Sequence, residues 1–278
     1  ITIGSVSVTG PSGTGGNING NGGVTIDASA SALNKSAGNI TLLAFANGAN
    51  TGNINTLLLN ANGQGTGNNG SITVIAGGGV GSNAINAVIA LSNGGQGSSG
   101  NILFAAATPT VSALSFASNG STIGTVGVGA LSTFAINLNG SSGGFAARTD
   151  GGNLTLTSGT GGVNPVFNIS SAGSGVLEGR NGGNITITSS GPISITGNLD
   201  TSGANATTTP GAGIVGTAGG KSGTISATET GAGNSLVLGT INANGGLGAP
   251  GGTGAAGGAG GNAGAITLVS TGTISIGD

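Results

Sequence analysis

The sequence predicts an all-β chain: a parallel β-helix (β-solenoid), right-handed, of about eight coils of roughly 30–40 residues with three short strands each. Three observations carry that expectation. Apolar residues alternate with Thr or Ser in short runs, as in Ile185-Thr186-Ile187-Thr188 and Ile193-Ser194-Ile195-Thr196, the pattern of a strand with one buried face. Gly, Asn, Ser and Pro bound these runs and supply turns. The same unit then returns along the chain every 30 to 40 residues or so, the mark of a stacked-repeat protein.

The elements follow in order. Ile1-Thr2-Ile3 begins an alternation that runs to Thr9, and Gly22-Gly23-Val24-Thr25-Ile26 is a short version of the repeat opening. Fuller openings are Gly38-Asn39-Ile40-Thr41-Leu42, Gly70-Ser71-Ile72-Thr73-Val74 and Gly100-Asn101-Ile102-Leu103-Phe104. A degenerate copy begins near Ala130-Leu131-Ser132-Thr133-Phe134. Gly152-Asn153-Leu154-Thr155-Leu156, Gly183-Asn184-Ile185-Thr186-Ile187, Gly223-Thr224-Ile225-Ser226 and Gly264-Ala265-Ile266-Thr267-Leu268 complete the series.

Each opening leads to a second strand, at Ile54 to Leu59, Ala84 to Leu91, Pro165 to Ile169, Ile193 to Leu199 and Leu236 to Ile241. A third, glycine-rich segment absorbs the differences in length and swells into long loops at 204–221 and 245–263. The whole, residues 1–278, reads as one solenoid domain. Glycine at the corners is expected to supply φ > 0, and the Asn beside it to stack as a ladder. Inward residues of successive coils should form columns. The spacing of Phe104, Phe134 and Phe167, and of Phe116 and Phe145, predicts an aromatic stack in the core.

Composition excludes several classes of function. Gly and Pro, 65 and 6 residues, make up a quarter of the chain, near the level of about 25–30% at which low-complexity disorder is expected. Disordered chains, however, are strongly charged and poor in apolar residues. Here charged residues are 4% and apolar residues 36%, placed periodically. Lys and Arg number four in total, too few to neutralise a nucleic-acid backbone. No apolar run approaches the roughly 18 residues of a transmembrane helix, and the strand-like start is not a signal peptide. Cys, Met, Trp, Tyr and His are absent, which removes disulfides, Cys/His metal sites and the main oxidation targets. No cofactor is expected.

The same inventory argues against an enzyme, because acid–base and nucleophilic schemes lack their usual side chains. A glycosidase needs two carboxylates facing each other across the scissile bond, and the six carboxylates here are thinly spread. Arg148, Asp150, Glu178 and Arg180 form the one charged cluster, each pair just before a repeat opening. They are expected to make an exposed ion-pair ladder between neighbouring coils.

The text from Gly182 to Gly203, GGNITITSSGPISITGNLDTSG, resembles the haemagglutinin-type repeats of secreted bacterial β-helix proteins. These include filamentous-haemagglutinin-like exoproteins and β-strand-repeat surface proteins. The likeness is strongest over Gly151 to Asp278 and looser over Gly22 to Gly129. It implies a secreted, cell-surface setting.

Both ends have strand character, ITIGSVSVTG at one and TGTISIGD at the other. Open solenoid ends invite pairing, and a head-to-tail contact that does not close generates a filament. The expected partner is therefore another copy, through assembly strands containing Ile1, Thr2, Ile3, Val6 and Val8 and Ile274, Ser275 and Ile276. The alternative is an adhesin stalk or passenger domain that binds surfaces or glycans through its two long loops.

Overall fold

The computed structural model describes residues 5–9, 17–44, 52–77, 83–92, 97, 100–108, 125–126, 130–137, 150–160, 162–164, 169–174 and 178–277. Those residues are all-β, without a helix, and they lie in two sheets. Sheet A runs β1 (Ser5–Thr9), β3 (Asn39–Ala44), β5 (Ile72–Ala76), β7 (Ile102–Thr108), β10 (Leu154–Ser158), β13 (Ile185–Ser189), β16 (Ile225–Glu229) and β19 (Ile266–Val269). Every neighbour on that path is parallel; β8 (Thr125–Val126) joins β7 antiparallel.

Sheet B begins with four long strands, β2 (Ile18–Asp27), β4 (Ile54–Asn60), β6 (Asn83–Leu91) and β9 (Ala130–Asn137). It then divides. Leu131 and Ser132 of β9 pair with β11 (Val163–Asn164), while Ile136 and Asn137 pair with β12 (Ile169–Ser170). The first arm continues through β14 (Ile193–Ile195), β17 (Leu236–Leu238) and β20 (Ile274–Ile276), the second through β15 (Leu199–Asp200) and β18 (Ile241–Asn242). What reads as one second strand in residues 193–199 and 236–241 is thus two strands around a corner. A Cβ on Gly239 at that corner would lie 2.6 Å from the Gly197 carbonyl oxygen.

Two readings of the sequence change. The segment at Ala130–Phe134 is not an opening of the sheet A kind: β9 belongs to sheet B, and β7 passes directly to β10. Val24–Ile26 likewise pairs with Leu57–Leu59 in sheet B. Alternating apolar residues alone cannot distinguish the two sheets, because both bury one face.

Register places like above like. Ile40, Ile72, Ile102, Leu154, Ile185, Ile225 and Ile266 form one column, and Leu42, Val74, Phe104, Leu156, Ile187, Ala227 and Leu268 a second. From Ile40 to Ala227 these side chains are fully buried in one core that runs from Ala28 to Ala243. Phe104 therefore stacks between Val74 and Leu156, whereas Phe134 sits opposite Val88 in sheet B, so their spacing of thirty is not one aromatic column. Phe116, Phe145 and Phe167 lie outside the described residues.

Outside the core, a polar ladder climbs the start of sheet A. The side-chain oxygens of Asn39, Ser71, Asn101, Asn153 and Asn184 each accept the backbone N–H of Ser71, Asn101, Asn153, Asn184 and Thr224 respectively, at 2.8–3.3 Å. The expected Asn ladder is present, but it runs from side chain to backbone. The glycine beside it has a different reason from the one the sequence suggested. Gly70, Gly100, Gly183, Gly223 and Gly264 do not have positive φ. A Cβ on each would instead fall 1.8–2.1 Å from the carbonyl oxygen of the glycine stacked beneath, Gly38, Gly70, Gly152, Gly183 and Gly223. Close backbone approach, not a left-handed turn, selects glycine here.

The long glycine-rich stretches are ordered as well. In 243–253, burial recurs every third residue: Ala243, Gly246, Ala249 and Gly252 are buried, while Asn244, Leu247, Pro250 and Thr253 are exposed. Hydrogen bonds recur at the same interval. Gly258, Gly261 and Gly264 donate to the carbonyls of Ala249, Gly246 and Ala243, and Gly246, Ala249 and Gly252 donate to those of Gly220, Thr217 and Ile214, at 2.8–3.0 Å. A period of three, with bonds passing only between segments, is that of the polyproline-II helix. The stretches 214–223, 243–252 and 255–264 thus pack as a slab of extended three-fold helices beside the sheets.

Candidate assembly interface

The order of the strands leaves β19 and β20 on the outer edge of sheets A and B. Their inward columns are continuous with the core, yet Ile266, Ile274 and Ile276 are 47%, 46% and 51% exposed, and Val269, on the other face of β19, is 46% exposed. The residues in register beneath the three inward ones, Ile225, Leu236 and Leu238, are at most 1% exposed. The alternation that buries Ile225 thus presents Ile266 on an edge that no described strand covers. Of the sequence-predicted assembly residues, Ile274, Ser275 and Ile276 form β20, and Val6 and Val8 lie in β1 opposite Ile40 and Leu42, at the other end of sheet A. Ile1, Thr2 and Ile3 are outside the described residues.

A buried carboxylate locks this edge to the layer beneath. Ser158, Ser189 and Glu229 form one register column at the end of the sheet A strands, and Ser270 directly follows β19, whose Val269 pairs with Thr228. Ser189 and Ser270 each accept the N–H two residues on, from Gly191 at 3.1 Å and Gly272 at 3.2 Å, and Glu229 does the same for Gly231. Glutamate is longer than serine, so its second oxygen also reaches the edge layer. It accepts from the Ser270 hydroxyl, the Thr271 N–H and the Thr271 hydroxyl at 3.2, 3.3 and 3.2 Å, while the Asn234 amide donates at 3.3 Å to the first oxygen. Burial pushes the Glu229 carboxyl up. The N–H groups of Gly231 and Thr271, the Asn234 amide and the Thr271 hydroxyl outweigh that and hold it below the usual glutamate range. The sequence lists Glu229 only as one charge among ten; its replacement of a serine in the Ser158–Ser189 column was the signal available.

The charged cluster is arranged differently from the expected ladder. Glu178 and Arg180 pair at 3.0 Å within one connection. Across to the preceding layer, Asp150 accepts the backbone N–H of Asn181 at 2.8 Å, in the manner of the Asn ladder. Arg148 lies outside the described residues. Along β12, β15 and β18, a groove of about 380 Å³ is lined by Ile169 and Ile241 and by the hydroxyl, amide and carboxylate groups of Ser170, Thr240, Asn198, Asn242, Asn244 and Asp200. Among the described residues no helix is long and apolar enough to cross a membrane. No family model, curated protein or solved structure matches the chain.

Proposed function

We propose that the chain is a non-catalytic structural segment of an extracellular, cell-surface filament, built as a right-handed parallel β-helix. Its terminal coils stack head to tail on further coils. The observation that carries this reading is the edge formed by β19 and β20, where the core columns continue into half-exposed Ile266, Ile274 and Ile276. Closure into coils is supported by hydrogen bonds from the glycine before five of the sheet A strands to the residue after the preceding sheet B strand. Gly38 to Ala28, Gly70 to Ala61, Gly183 to Ser171, Gly223 to Thr201 and Gly264 to Ala243 bond in this way at 2.7–2.9 Å. About eight coils at about 4.8 Å give a rod roughly 40 Å long. Its mechanics follow from backbone ladders along the axis and a nearly uncharged surface, which permit lateral packing.

Electron microscopy of the purified chain across a dilution series tests this. Long fibres with a layer spacing of about 4.8 Å, forming without another component, are expected. Discrete rods of about 40 Å at every concentration contradict it.

A second reading, the adhesin stalk, is favoured by one observation. Ile214, Val215 and Leu247 are exposed large apolar residues, all on the glycine-rich slab. Replacing the three with Ser separates the readings, since adhesion would be lost while assembly persisted.

A further inference from the structure

We propose that the outward face of sheet A over β10, β13 and β16 is an ice-binding surface, a regular array of hydroxyl and methyl groups whose ligand is frozen water. This is a lateral face of the molecule. It goes beyond the filament reading and uses neither β19 nor β20.

Parallel pairing stacks the outward residues of these three strands in two columns. Thr155, Thr186 and Ser226 form one, and Thr157, Thr188 and Thr228 the other. The register runs through all three strands without a slip, unlike the pairs β2–β4 and β6–β9, where it shifts. The hydroxyls therefore occupy a grid of three rows and two columns, about 4.8 Å apart between strands and about 6.7 Å apart along each strand. Leu103 and Ala105 of β7, in register with Thr155 and Thr157, bound the grid on one side.

These hydroxyls are uncommitted. Thr186 and Thr188 are exposed and the other four half-buried, and none of the six makes a side-chain hydrogen bond among the described residues. The adjoining column of Asn153, Asn184 and Thr224 is instead consumed by the polar ladder. The array is also rigid. Threonine is branched at Cβ and stiff at χ1, and the alternate residues of its strands, such as Ile185 and Ile187, are anchored in the core. Little freedom remains to be lost when a ligand binds. The outward positions of the three strands carry no charge.

A surface that repeats in two directions suits a ligand that does the same. The two intervals lie near the oxygen repeats of a prism face of hexagonal ice, slightly longer in one direction and slightly shorter in the other. Over three rows the accumulated mismatch stays small. Each threonine supplies a hydroxyl that both donates and accepts, beside a methyl group around which water orders. A crystalline sugar surface also repeats, but the aromatic side chains that stack on sugar rings are scarce here, with Trp and Tyr absent.

The test is slow growth of ice from a dilute solution of the full chain, comparing protein in the melted ice fraction with protein in the residual liquid. The native chain should be enriched in the ice. Thr186→Lys and Thr188→Lys, each placing a strongly hydrated ammonium at the middle row, should abolish the enrichment while circular dichroism stays unchanged. Ile214→Lys, on the slab, should leave it intact. Exclusion of the native chain from the ice overturns the proposal. So does enrichment that survives both threonine variants, or that Ile214→Lys removes as fully as they do. Exclusion from ice together with concentration-dependent light scattering that Thr186→Lys removes also overturns it, and assigns the face to lateral packing of copies.

Discussion

Residues 39–108 and 150–277 build the same sheet A by different means. In the first region one outward column of the strands is apolar and buried: Leu43, Ile75 and Ala105 are buried although they point away from the core columns. In the second, the residues in register with them, Thr157, Thr188 and Thr228, are half-buried or exposed. Strand β13 shows the plain alternation, with Ile185, Ile187 and Ser189 buried and both threonines exposed. Sheet B differs too, with long strands before β9 and pairs of short ones after it. The first region is held mainly by apolar area. The second has little side chain to bury outside its columns and relies on close backbone packing, stacked glycines and polar caps. Glycine abundance is there a packing device rather than a source of flexibility.

The largest expected effect comes from breaking a glycine stack. Gly223→Ala puts a methyl group 2.0 Å from the Gly183 carbonyl oxygen, and should destabilise by at least about 3 kcal/mol in denaturant unfolding. Gly257→Ala, in the same region but on the open face, should change stability by less than about 0.5 kcal/mol. Equal effects would remove the distinction between stacked and open glycines.

Next comes the contrast between the sheet A faces. Leu43→Ala should cost about 2–4 kcal/mol, as a buried large-to-small change does. Thr188→Ala, at the matching register position, should fall within about 0.5 kcal/mol. Similar losses at both sites would show that the two regions are held alike.

Glu229→Gln should cost about 1–3 kcal/mol, because a charge-assisted network is weakened at a buried corner. Its pH dependence is more specific. The folded carboxyl sits below its unfolded value, so its contribution is fully present above about pH 4.3 and is lost as pH falls through the lower folded value. Acid titration of unfolding stability should show that loss in the native chain and flatten it in Glu229→Gln. A parallel loss in both would assign the acid sensitivity to other groups. The smallest effect belongs to Arg180→Ala, whose exposed pair with Glu178 should contribute under about 1 kcal/mol in the same assay.

Strand positions were largely legible in the sequence, since Ile-Thr-Ile alternation reports one buried face wherever it occurs. Which sheet a strand joins was not. Ala130–Phe134 has the same alternation as an opening, and only the long step from β7 to β10 places it in sheet B. The Asn ladder was visible because Gly-Asn precedes several sheet A strands. The glycine stack was visible as a pattern, but its cause was misread, since composition cannot separate a left-handed turn from a close approach. Three-residue periodicity in 243–264 was present in the letters and obscured by their apparent low complexity. The apolar edge could be anticipated from Ile274-Ser275-Ile276, whereas Glu229 needed the register that sets it above two serines.

The account turns on whether the edge of β19 and β20 is an assembly face. Residue-resolved hydrogen exchange across a concentration series tests that most directly. The account predicts that amides of Ile266–Val269 and Ile274–Ile276 pointing away from β16 and β17 exchange freely when dilute and become protected as concentration rises. Exchange at those amides that does not change with concentration would contradict it.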